Sequence, residues 1–70
     1  MKLLINGQPR ESASINLVEL WREETRELLV ESPKGYAMAL NGALVRKDQW
    51  SVTTLNEGDR VEIVRAMQGG

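Results

Sequence analysis

The sequence predicts an α+β domain in which one main helix packs across one face of a sheet. Three observations predict it. One segment alone, beginning at Asn16, combines a helix start signal with helical spacing of its apolar residues. Asn-Gly pairs at 6–7 and 41–42 mark a tight hairpin on each side of that segment. A β-rich stretch from Arg60 to about Ala66 then closes the chain. Seventy residues allow a single domain, which buries only about 60% of its unfolded surface and leaves little room for a deep pocket.

Each element has its own signal. Lys2 to Asn6 reads as a short, largely buried strand, and Asn6-Gly7 suits the positive backbone angles of a two-residue turn. A weaker second strand is expected from about Arg10 to Ile15, with Pro9 in the turn or on a sheet edge because it has no amide hydrogen. Asn16 is a favoured N-cap, Glu19 completes a capping-box-like pattern, and Ile15 with Leu20 occupies the positions of a hydrophobic staple. Leu17, Leu20, Trp21, Thr25 and Leu28 form one stripe, while Glu19, Arg22, Glu23, Arg26, Glu27 and Glu31 mostly take the other face. Glu23 and Arg26 are spaced for an i,i+3 pair. Ser32-Pro33 stops the helix.

Tyr36 to Leu40 is the third strand, and Asn41-Gly42 turns it into Ala43-Leu44-Val45. Arg46 to Trp50 is a polar crossover with room for one helical turn, and Ser51 to Leu55 is a short β-rich segment. Asn56-Glu57-Gly58-Asp59 turns the chain into the last strand. Two hairpins flanking a helix, with a returning strand, make the β-grasp arrangement, a mixed sheet of four or five strands. Pairing of the first and last strands is an expectation from fold analogy, since periodicity cannot show it.

Composition removes several function classes. The chain is 41% hydrophobic and 27% charged, which is globular. It has no cysteine and no histidine, so a disulfide framework, thiolate or imidazole metal ligation and Cys or His catalysis are excluded. A net charge of -1 and three aromatic residues offer no basic stripe or stacking platform for nucleic acid. No stretch is long enough for a membrane-spanning helix, and Leu3-Leu4-Ile5 is too short for a signal-peptide core. A cytoplasmic protein with no cofactor of its own is expected.

The ending "RAMQGG" carries the reactive chemistry. If the last strand stops near Ala66, a tail from about 67 to 70 projects from the domain. Gly69 and Gly70 make the thinnest possible peptide, able to enter a channel that any side chain would block. The Gly70 α-carboxylate is then an unhindered nucleophile toward an activated phosphate such as the α-phosphate of ATP. A bare Gly-Gly ending is also what a frayed terminus looks like.

Context favours the reactive reading. The opening "LLINGQP", the helix near "LVELW", and "ALNG…LVRKDQW…LNEGDRVEIVRAMQGG" resemble the bacterial sulfur-carrier proteins of thiamine biosynthesis, the ThiS type. The resemblance covers most of the chain. It is most specific at Ala39 to Gly42, at the Val45-to-Trp50 spacing, and at Gly58-Asp59 followed by the last strand and Gly69-Gly70. It implies the ubiquitin-like β-grasp fold and a carrier rather than an enzyme. It further implies a ThiF-like activating enzyme that adenylates Gly70 with ATP, and a sulfur donor such as a cysteine desulfurase that converts the adenylate to a thiocarboxylate. A thiazole synthase would receive the sulfur. Gln68 and Gly69 would present the modified carboxylate. Many relatives carry proline where this chain has Arg46, and a small or apolar residue where it has Gln68. Those departures bear on which activating enzyme accepts the tail. The alternatives are a molybdopterin synthase small subunit, a ubiquitin-like protein modifier and a plain binding module.

Alternation gives one further expectation. Leu4 opposes Leu3 and Ile5 across the first strand, and Val64 opposes Val61 and Ile63 across the last. Leu4, Val64 and Met67 could therefore form an exposed apolar docking patch near the tail. Trp21 and Trp50 are expected in the core. Asp48, Glu57 and Asp59 read as turn and surface residues, and Arg46-Lys47 as a solvated loop.

Overall fold

The computed structural model describes residues 1–26 and 33–65. Strands β1 (Lys2–Ile5) and β2 (Gln8–Glu11) precede helix α1 (Leu17–Thr25). Strands β3 (Tyr36–Leu40) and β4 (Ala43–Val45), a 3-10 helix (Lys47–Val52) and β5 (Arg60–Arg65) follow. The five strands form one mixed sheet in the order β2-β1-β5-β3-β4. The first and last strands are parallel neighbours in its middle, with Leu4 beside Arg60 and Ile5 beside Val61. The other neighbours are antiparallel. The expected stripe residue Leu28, the helix stop at Ser32, the strand end at Ala66 and the tail Met67 to Gly70 lie outside the described residues.

Both Asn-Gly turns form as expected, with φ of 52° and 82° at Asn6 and Gly7 and of 51° and 88° at Asn41 and Gly42. Each asparagine also lengthens the ladder it turns away from. Asn6 Oδ1 accepts from the Ile63 N–H (2.8 Å) and Asn41 Oδ1 from the Arg60 N–H (2.9 Å), each standing in for a strand carbonyl.

Strand β2 differs from expectation. The two-residue turn folds the chain straight back, so pairing begins at Gln8 and ends at Glu11 instead of running from Arg10 to Ile15. Pro9 sits opposite Leu4 on this edge strand, where its missing N–H is tolerated. Beyond Glu11 the Ser12 and Ser14 hydroxyls turn inward and donate to Glu23 Oε1 (2.7 and 3.1 Å). Glu23 therefore ties the connection to α1, and no Glu23–Arg26 ion pair forms.

Helix α1 starts at its expected cap. Asn16 Oδ1 accepts from the Glu19 N–H (2.9 Å), and Glu19 Oε1 accepts from the Ile15 N–H (3.1 Å), one residue ahead of the standard capping box. Ile15 is 59% exposed, so the staple buries little. Leu17, Leu20, Trp21 and Thr25 are the buried face. They pack on Leu3, Ile5, Met38 and Val61 from the sheet, with Trp50 and Leu55 completing the core.

The expected β segment at 51–55 is instead the end of the 3-10 helix followed by a single bridge, Asn16 to Thr54. Local bonds outcompete a ladder here. The Thr53 hydroxyl donates to Gln49 O (2.6 Å), and buried Trp50 donates from Nε1 to Val45 O (3.0 Å).

Candidate functional site: the outer sheet face

The sheet has two unlike faces because successive side chains point to opposite sides. Leu3, Ile5, Met38 and Val61 face α1. Leu4, Pro9, Ala37, Ala39, Leu44, Arg60, Glu62 and Val64 lie on the outer face by register. No other element covers that side among the described residues. Ala37 and Ala39 leave its centre shallow, so Val64 (56% exposed) and Leu44 (74% exposed) stand above it. Val64 is directly opposite Ala37, and Leu44 directly opposite Ala39.

The expected docking residues are placed as follows. Leu4 and Val64 share the outer face, with Leu4 half-buried. They are not adjacent, since Leu4 pairs with Arg60 and Val64 is four residues further along β5. At ~3.3 Å per residue that is about 13 Å. Glu62 lies between them. Met67, Gln68, Gly69 and Gly70 fall outside the described residues, and Arg65 is the last described residue before them.

Beside Leu4 is a hollow of about 230 Å³, lined by Leu4, Gly7, Gly42, Arg60, Val61 and Glu62. It is smaller than the roughly 300–1,000 Å³ of a small-molecule site and fits a protruding partner side chain better than a substrate. Arg60 and Glu62 give it one charge of each sign.

Leu44 is the exposed residue that sequence reasoning did not select. Its signal was available: the two-residue loop at Asn41-Gly42 fixes Ala39 opposite Leu44, on the face that Tyr36, Met38 and Leu40 avoid.

The remaining candidates are structural. Trp21 and Trp50 are buried. Asp59 holds its own turn, with Oδ2 accepting from the Asn56 N–H (2.8 Å) and Oδ1 from Asn41 Nδ2 (3.1 Å). Arg46 forms an exposed ion pair with Asp48 (3.0 Å). No cluster of three potential metal ligands occurs among the described residues, and no helix among them is long and apolar enough to cross a membrane.

A mixed five-stranded sheet with one helix across one face and parallel first and last strands defines a β-grasp protein of the ubiquitin-like class. A profile of the ThiS family matches residues 3–70, and the chain belongs to that family. The curated sulfur carrier protein ThiS of Escherichia coli is 29% identical over 70 residues, covering all of both chains. The crystal structure of a thiamine biosynthesis protein (ThiS) from Geobacter metallireducens superposes with a TM-score of 0.75 at 30% identity, again over both whole chains. A solution structure of a thiamine biosynthesis protein from the same organism gives 0.72 at 30% identity, covering all of this chain and 88% of that one. The chain is thus of the sulfur-carrier class and not a catalyst in its own right.

Proposed function

We propose that this protein carries sulfur on its Gly70 carboxylate for formation of the thiazole ring of thiamine. The observation that supports this most is the family match through residue 70, which takes in Gly69-Gly70 as well as the fold.

In this reading a ThiF-like enzyme binds the chain with ATP. A Gly70 carboxylate oxygen attacks the α-phosphate and pyrophosphate leaves. The resulting acyl adenylate is a mixed anhydride, open to a sulfur nucleophile. The outer sulfur of a persulfide donor, such as a cysteine desulfurase, attacks the carbonyl; AMP leaves and an acyl disulfide to the donor forms. A second thiol, supplied by the enzymes or by a small-molecule reductant, then attacks that S–S bond, forming a disulfide with the donor cysteine and releasing the terminal thiocarboxylate. A thiazole synthase then takes the sulfur. The domain's part is binding and presentation, so no catalytic side chain is required of it. The cytoplasm, where ATP is at hand, is the compartment we assign. The outer sheet face, with Leu4, Val64 and Leu44 and with Met67 beyond it in sequence, supplies the docking surface for the enzymes in turn.

Intact mass after incubation with ATP, sulfur donor and the activating enzyme of the same source tests the scheme. Replacement of one oxygen by sulfur is the expected gain. Conjugates on lysines of other proteins would point instead to a protein modifier. Deleting Gly70 removes the gain and leaves the melting temperature unchanged; a thiocarboxylate forming without Gly70 would refute the assignment.

A further inference from the structure

The end of β5 is held differently from its beginning. At Arg60 and Val61 the strand lies between β1 and β3. Strand β1 ends at Ile5, and its last hold on β5 is the Asn6 side chain at the Ile63 N–H. Past Ile63, β3 is the one strand among the described residues that still neighbours β5.

The rungs to β3 alternate. Asn41 donates its backbone N–H to Arg60 O (2.7 Å), which makes Asn41 and Arg60 a bonded rung. Alternation from there gives bonded rungs at Ala39–Glu62 and Ala37–Val64, and a non-bonded rung at Tyr36–Arg65. Arg65's N–H and C=O therefore turn away from β3, toward the side where β1 has already ended. Non-bonded rungs bring side chains closest. Here the Arg65 guanidinium lies over the Tyr36 ring, 5.9 Å from its centroid. Tyr36 is itself buried and packs edge-to-face on Trp21 of α1, with centroids 5.7 Å apart.

We propose that Arg65 and Tyr36 are a positioning pair: the cation–π contact fixes the end of β5, and with it the point from which the Gly70 carboxylate is presented. Arg65 shares the helix-side face of the sheet with Tyr36, Met38 and Val61. A partner on the outer face at Val64 does not need to touch it. The pair acts on the reaction by restricting the strand end before the enzyme binds, so less chain has to be ordered on docking. This consequence rests on the sulfur-carrier reading; the clamp itself does not.

Two measurements test it. In the free protein, amide exchange is followed at Val64, the last bonded rung, and at Glu62, one bonded rung deeper. Arg65→Gln should speed exchange at Val64 by roughly two- to fivefold, the scale of an exposed cation–π contact, and leave Glu62 unchanged. Tyr36→Leu, which also loosens the core beside Trp21, should speed exchange at both, and more at Val64 than at Glu62. With the activating enzyme, the same variants should raise KM for the carrier by a similar factor at constant kcat. Tyr36→Phe should restore both readouts, and the double variant should be no worse than either single one. In Arg65→Gln, unchanged exchange at Val64, or an equal rise at Glu62, overturns the clamp. A KM effect in Arg65→Gln absent from Tyr36→Leu shows that Arg65 meets the enzyme directly, and also overturns it. Wild-type protein that the enzyme never adenylates would sink the carrier reading instead, with the exchange result standing by itself.

Discussion

The two faces of the sheet share one backbone and differ only in alternate residues. Facing α1 are Leu3, Ile5, Met38 and Val61, all essentially sealed from solvent. On the other side, Ala37 and Ala39 alternate with Met38 along β3 yet have no layer above them among the described residues, and Val64 and Leu44 stay exposed. In so small a chain the helix side must supply nearly all the apolar burial. The outer face is then released from that duty and can be shaped for a partner.

Substitutions can break or sharpen this contrast. The largest effect on stability is expected on the helix side: Met38→Ala should cost about 2–5 kcal/mol, a large share of a total of roughly 5–15 kcal/mol, read by urea denaturation. At the margin of the core, Asn16→Ala removes the acceptor for the Glu19 N–H and should lower stability by about 1 kcal/mol. Smallest for the fold is Val64→Asp on the outer face, within about 1 kcal/mol, while adenylation by the activating enzyme should be lost. Full adenylation of that variant would remove the outer face as the docking surface, and a collapse of its melting temperature would show that the two faces are not separable.

Much of this was legible in the sequence because local chemistry and tertiary structure agree. The Asn-Gly turns, the Asn16 cap, the stripe Leu17–Leu20–Trp21–Thr25 and the strands at Tyr36–Leu40 and Ala43–Val45 all stand where the sequence puts them. Disagreement arose where tertiary partners decide. Ser12 and Ser14 follow β2 in a stretch that could extend it, but Glu23, nine or more residues away, takes their hydroxyls. Ser51 to Leu55 is β-rich, yet Trp50's burial and the Thr53 hydroxyl favour the 3-10 turn. For the site, alternation put Leu4 and Val64 on one face, but their spacing depends on the parallel register of β1 and β5, which no local signal encodes.

The asparagines of the two turns carry a consequence for the protein's chemical ageing. Asn-Gly pairs lose ammonia spontaneously when the glycine amide attacks the side-chain carbonyl. Hydrolysis of the resulting cyclic imide leaves isoaspartate, with the chain rerouted through the side chain, or aspartate, with an acid where the amide stood. The two turns differ in what the aspartate product does. At Asn6 the aspartate keeps the side-chain bond to the end of β5, since Oδ1 still accepts from the Ile63 N–H. At Asn41 the lost Nδ2 is the donor to Asp59 Oδ1, 3.1 Å away, and two carboxylates would then confront each other across the turn that opens β5. Melting of Asn6→Asp and Asn41→Asp should therefore separate, with Asn6→Asp close to the parent and Asn41→Asp clearly below it. Equal melting would show that Asp59 can turn away. Of two identical dipeptides, conversion to aspartate would erode the stability of a stored molecule only at the second.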